Sequence, residues 1–149
     1  MITYRITLKK WAGKLSASGR AARWNSNGQF LVYTASTRAL ACLENMVHRR
    51  SIGLDELFRV TLIEIPDDIK IKKISKGKLP PDWGGYLNYT ACQAIGDKWL
   101  RENKTPILQV PSAIISEEYN YLLNPGHPDF ARIKVHSIEK FNFDSRLFS

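Results

Sequence analysis

A mixed α+β fold is predicted by three features of the sequence. Several segments alternate apolar and polar residues with a period of two, only two stretches carry helical periodicity, and strands succeed one another without regular interleaving by helices. A doubly wound parallel sheet needs that interleaving and is disfavoured.

At the start of the chain, Ile2 to Leu8 sets Ile2, Tyr4, Ile6 and Leu8 against Thr3, Arg5 and Thr7, a strand pattern. Residues 12–29 are rich in Gly, Ser, Ala and Asn and read as a long loop, of the kind that often carries function. Phe30 to Thr34 is a short β-branched and aromatic run, expected as a buried strand. Ser36 is the expected N-cap of a helix over Thr37 to Arg49, with Ala39, Leu40, Leu43, Met46 and Val47 on its apolar face. Two strands, Leu57 to Ile65 and Ile69 to Ile74, are expected on either side of a Pro66-Asp67-Asp68 turn. Lys76 to Tyr86, with Pro80-Pro81 and Gly84-Gly85, is a second irregular loop. Next comes a helix over Leu87 to Glu102, with Leu87, Ala91, Ile95 and Trp99 along one side. Pro106 to Val110 is another strand, running into Pro111-Ser112. Beyond the Asn124-Pro125-Gly126 turn, Ile133 to Phe143 forms the last one.

A length of 149 residues without repeat, linker or low-complexity tract reads as one domain over 1–149. No apolar run approaches the roughly 18–20 residues of a membrane span. The opening MITYRITLKKW lacks the apolar core and cleavage site of a secretory signal, so a cytoplasmic location is expected. Cys42 and Cys92 fall inside predicted helices and read as small buried hydrophobes. The formal charge of +8 points to an anionic partner or serves solubility.

Several chemistries are excluded. No GxGxxG follows a strand, and there is no GxxxxGK[ST] and no GxSxG elbow. His48, His127 and His136 lack zinc-site spacing, so no metal is expected. No helix-turn-helix or RNP-like motif stands out, so direct DNA binding is not expected.

Four residues draw attention. Glu44 lies about 40° from Leu40 and about 60° from Val47 on the helical wheel, at the edge of the apolar face. It is either a partly desolvated carboxylate or one paired with Arg23 or Arg49 or reaching water. Arg23, beside Trp24 in the loop, suits a bidentate phosphate contact with the ring packed beneath, or a stacked surface position. Tyr33 either stacks on a flat heterocycle or is a core residue with its hydroxyl satisfied. Ser112 sits at a strand end stiffened by Pro111.

Taken in order, Arg5, Gly19 to Arg23-Trp24-Asn25, Val32-Tyr33-Thr34-Ala35, Leu40-Ala41-x-Leu43-Glu44, Val110-Pro111-Ser112-Ala113 and Asn120-x-x-x-Asn124-Pro125-x-His127 resemble the RES domain, named for its Arg, Glu and Ser. The resemblance spans essentially the whole chain, with residues 50–105 contributing little.

It implies an ADP-ribosyltransferase-like core of mixed and antiparallel sheets flanked by helices, and a bacterial toxin of a toxin–antitoxin pair that cleaves the nicotinamide–ribose bond of NAD. NAD is then a substrate and no cofactor is needed. The resemblance implies Glu44, Arg23 and Ser112 as catalytic residues, and Arg5, Arg23, Tyr33, Ser112 and Asn120 as NAD-binding ones. The acceptor is water or phosphate, or alternatively a specific cellular protein. The implied partner is a helix-turn-helix (Xre-like) antitoxin that blocks the active site, with a homodimer as a further possibility. Two rival readings stand beside it: an RNase-like basic toxin using Glu44, His48 and Arg residues, and a non-catalytic module with Arg23 and Glu44 as a structural ion pair.

Overall fold

The computed structural model describes residues 1–48 and 57–148. Its strands are β1 (Ile2–Leu8), β2 (Val32–Ala35), β3 (Phe58–Glu64), β4 (Ile71–Lys73), β5 (Ile107–Pro111), β6 (Tyr119–Leu123) and β7 (Lys134–Phe141). Its α-helices are α1 (Arg38–His48) and α2 (Thr90–Glu102). The strands form one seven-stranded sheet in the order β4-β5-β6-β2-β1-β3-β7. Every pairing is antiparallel except β4 with β5. The mixed α+β expectation therefore holds.

Side-chain alternation splits the core between the two faces of the sheet. Ile6, Tyr33, Ala35, Leu108, Val110 and Leu122 meet the two helices, where Leu40 and Ala41 of α1 and Cys92 and Trp99 of α2 are buried. Val32, Ile63, Ile107 and Leu123 pack on the other face with Leu15, Ala17, Ile69 and Ile133.

Several local expectations need correction. Thr37, not Ser36, caps α1: its Oγ1 accepts the Leu40 N–H at 3.0 Å. The inward face of α1 is rotated from the predicted one, because Leu40 and Ala41 are buried while Ala39 and Val47 are exposed. That rotation turns Glu44 and Asn45 inward. The expected helix end at Arg49 lies outside the described residues.

α2 starts three residues late, leaving Leu87 exposed, and ends where Asn103 takes the left-handed conformation and donates its N–H to the Trp99 carbonyl. The Pro66-Asp67-Asp68 turn does not close a hairpin. β3 and β4 lie far apart in the sheet, so the chain crosses to the opposite side. β6 is an unpredicted strand between β5 and β2.

The centre of the sheet is incompletely paired. β1 is registered with β3 over seven residues but with β2 at the single pair Tyr4–Ala35. Beyond that pair the two strands part, and the helix face opens into a cavity.

Candidate active site

The cavity has a volume of about 620 Å³, within the usual range for a small-molecule site. Its walls come from β1 (Tyr4 to Leu8), from β2 (Tyr33 to Ala35), from the Ala22–Trp24 loop, from Glu44, Asn45 and His48 of α1, and from Gly84, Tyr86 and Tyr89. Arg5, Arg23, Tyr33, Glu44 and Asn120 all line it. Ser112 does not: it is fully buried just behind Glu44.

Among the described residues, Glu44 is the only carboxylate on the cavity wall. The Ser112 hydroxyl donates to its Oε1 at 3.3 Å, and Oε2 lies 3.8 Å from His48 Nε2. Burial pushes its carboxyl above the ordinary carboxylate range, against the opposing pull of His48, Ser112, Asn120 and, more distantly, Arg23. Ser112 is committed elsewhere too, since its Oγ accepts the N–H groups of Ile114 and Ile115 at 3.0 and 3.2 Å. The hydroxyl thus ties off the turn after β5 and spends its single proton on Glu44. Asn120, brought beside it by β6, donates Nδ2 to the Thr34 carbonyl at 3.3 Å. The pairing of β5, β6 and β2 is what assembles Ser112 and Asn120 under Glu44.

The Arg23 side is built differently. Arg23 Nη1 donates to the Trp83 carbonyl at 2.6 Å, and both terminal nitrogens approach the Gly85 carbonyl at 3.3–3.4 Å. Its guanidinium carbon lies 4.6 Å from the centre of the Tyr89 ring. Trp24 is not beneath it: that ring is buried in the core against Trp83. No ion pair joins Arg23 to Glu44 among the described residues, so the structural-pair reading lacks its contact. Tyr33 lines the cavity with its ring while its hydroxyl accepts the Trp24 N–H at 3.1 Å and donates to Asn25 Oδ1 at 2.6 Å. Burial raises the phenol's pKa, so it stays neutral. Arg5 donates to the carbonyls of Lys14 and Ser16 at 3.2 and 3.1 Å, which anchors the first loop, and burial lowers its pKa.

Three residues that the sequence did not single out hold the Arg23 loop against α2. Gln93 Nε2 donates to the Ala22 carbonyl at 2.8 Å, and Asp97 accepts the Ser26 N–H at 3.0 Å and the Ser26 hydroxyl at 2.6 Å. Between them Gly96 lies so close to Trp24 that an added Cβ would fall 1.7 Å from its carbonyl oxygen. Asn25, buried within the same loop, donates to the carbonyls of Arg20, Ser26 and Gln29. The Gln93-x-x-Gly96-Asp97 spacing on one helix turn was the available signal, but its partner is remote in sequence.

The RES domain family model matches residues 2–144. The chain belongs to the RES family. Similar curated proteins include the "Prs ADP-ribosylating toxin" of Sphingobium sp. (strain YBL2), 38% identical over 141 residues and covering 91% of this chain and 88% of that protein. A "Toxin Res" of Photorhabdus laumondii is 36% identical over 157 residues, covering 99% and 97%. In fold, this RES domain is similar to a chain of the crystal structure of the M. tuberculosis MbcT–MbcA toxin–antitoxin complex. That likeness has a TM-score of 0.75 at 16% identity and covers 95% of this chain and 84% of the other. Among the described residues there is no His, Cys, Asp and Glu cluster able to hold a metal, and no helix long and apolar enough to cross a membrane.

Proposed function

We propose that this RES domain is the toxin of a toxin–antitoxin pair and that it cleaves the nicotinamide–ribose bond of NAD. The observation that carries the reading is a desolvated carboxylate, Glu44, set in a cavity whose other polar walls include Arg5 and Arg23. The relatives' names, an ADP-ribosylating toxin among them, supply the class of chemistry.

The bond between ribose C1′ and the nicotinamide nitrogen breaks heterolytically. Its electron pair stays with nitrogen, so a cationic ring departs as neutral nicotinamide and no acid is required. Positive charge develops on the ribose, and an ionised Glu44 stabilises it. Water or phosphate then bonds to C1′, and water releases a proton in doing so. Arg23 and Arg5 provide charge for the pyrophosphate, for which Arg23 exchanges loop carbonyls for the stronger anionic partner. The Tyr33 ring packs on the nicotinamide or its ribose, and Asn120 reaches a ribose hydroxyl. Ser112 acts through Glu44 as a positioning residue. No cofactor enters. The toxin works in the cytoplasm, where an Xre-like antitoxin covers the cavity, and a homodimer is compatible with that complex.

The test is nicotinamide release from NAD by purified protein. Release by the wild type and its loss in Glu44→Gln is expected; intact NAD alongside degraded RNA would sink the reading. A second reading, transfer of ADP-ribose to one cellular protein, is favoured by the name of the Sphingobium relative. Labelled NAD incubated with cell extract separates the two: free ADP-ribose or its phosphate marks cleavage, and a single labelled protein band marks transfer.

A further inference from the structure

The positive charge of this chain is concentrated in one place. Residues 70–78 and 98–104 together hold eight of the 22 Lys and Arg but one of the 14 Asp and Glu, so seven of the eight net charges reside there. The tertiary structure brings these two segments together: Lys72 Nζ lies 3.4 Å and Lys98 Nζ 3.9 Å from the same Glu102 carboxylate, which Lys104 also influences. Lys70, Lys73, Lys76, Lys78, Lys98, Arg101 and Lys104 are all exposed.

The lysines surround a sheet edge. β4 is the terminal strand, paired on one side with β5, and among the described residues nothing pairs with its outer side. The Ile74 N–H points inward to the Gln109 carbonyl at 2.9 Å, so strand alternation turns the backbone groups of Ile71 and Lys73 outward. Side chains alternate as well. Lys72 reaches the α2 side, where Glu102 lies, while Ile71 packs on the opposite face and Lys73 shares that side. An open edge with cations on both faces repels a second copy of itself and blunts self-pairing. The same arrangement complements a strand that carries carboxylates on both of its faces.

We infer that the β4 edge is a docking site for an extended acidic segment of a partner protein, added beside Ile71–Lys73 as an eighth strand. Main-chain hydrogen bonds supply the pairing and the flanking lysines the charge complementarity. Lysines predominate, Trp99 is the sole aromatic residue of the two segments and is buried in the core, and Glu102 sits inside the cluster. These features fit a protein strand better than nucleic-acid phosphates and bases. The site is separate from the cavity and does not depend on its chemistry. The chain from Lys78 leads directly to Trp83–Gly85, the segment held by Arg23.

The experiment uses the full chain in a Glu44→Gln background. The probe is a short acetylated peptide of alternating Glu and Thr, set beside a peptide with Lys in place of Glu and a short duplex DNA. Amide chemical shifts and hydrogen exchange at Ile71 and Lys73 are read with the affinity. The acidic peptide is expected to slow exchange at both amides and to bind about tenfold more weakly once salt screens the charges. Lys70→Glu/Lys73→Glu/Lys76→Glu is expected to abolish binding, whereas Lys10→Glu/Lys134→Glu/Lys140→Glu, with the same change in net charge elsewhere, retains it. Equal loss in both triple variants, binding without protection of the edge amides, absence of binding, or tighter binding of the DNA would each overturn the proposal. Nicotinamide release by the same lysine variants with Glu44 restored reads the cavity separately.

Discussion

The two walls of the cavity hold their key side chains by opposite means. Glu44 sits on a regular helix, and its position comes from the inward rotation of α1 over β1 and β2. Its carboxylate has few partners and is under-solvated. Arg23 sits on an irregular loop, and both terminal nitrogens of its guanidinium contact main-chain carbonyls while the group lies over the Tyr89 ring. The loop stays in place because Gln93, Gly96 and Asp97 of α2 grip its backbone. A desolvated acid is poised to respond to charge that develops in a reaction. A cation already held by carbonyls on a clamped loop exchanges partners to meet an anionic ligand. The first wall is therefore expected to govern rate, and the second to govern binding.

Substitutions should separate the walls, and Glu44→Gln should have the largest effect. Nicotinamide release should fall by about 10²–10³, the usual scale for losing one preorganised charge contact. The same variant should melt higher than wild type at neutral pH. A carboxyl whose folded pKa is raised favours the folded state when protonated, and this stability is lost as pH rises through the shifted value. The gain should vanish below the unfolded carboxyl pKa of about 4.3. Thermal melts across pH check this, and a lower melting point at every pH would contradict it. Catalysis by wild type should likewise fall on the acid side as Glu44 protonates, with a midpoint above the ordinary carboxylate range.

Gly96→Ala comes next. Its Cβ cannot coexist with the Trp24 carbonyl, so the loop must move, at a stability cost of roughly 1–3 kcal/mol. KM for NAD should rise more than kcat falls, as steady-state kinetics will show; a pure kcat effect would place the loop on the rate-governing wall.

Ser112→Ala should reduce kcat by about tenfold, in line with a hydrogen bond to a charged group. Because the Ser112 hydroxyl lowers the Glu44 pKa, the acid limb of the pH–rate profile should also move upward. An unshifted limb would mean that Ser112 does not act through Glu44. Asp97→Asn, which keeps the shape but loses the charge that receives both Ser26 donors, should change KM only a few-fold. Isothermal titration with ADP-ribose is the direct check.

Much of the frame was legible in the sequence. β1 and β7 appear there because their residues alternate in polarity, β2 and β5 because they are short apolar runs, and both helices because their periodicity is long. β6 escaped notice because Tyr119–Leu123 is short and closes on consecutive buried leucines, so it offers no clean alternation. The inward face of α1 was misjudged because a wheel weighs apolar residues alike. The cavity takes Glu44 and Asn45 inward and leaves Val47 at its rim. Trp24 was assigned the place under Arg23 by adjacency, whereas loop geometry buries it and leaves the stacking to Tyr89, far along the chain.

By itself, then, the sequence determined the α+β class, the order of Arg5, Arg23, Tyr33, Glu44, Ser112 and Asn120, and the family. These are local or linear properties, set by side-chain period and by residue order. The tertiary structure alone decided that β1 and β2 part to open the cavity, that Ser112 lies behind Glu44 rather than on the wall, and that α2 clamps the Arg23 loop. It also gathered the basic segments around the β4 edge. Each of these depends on contacts between segments distant in the chain, whose register and burial no single segment encodes.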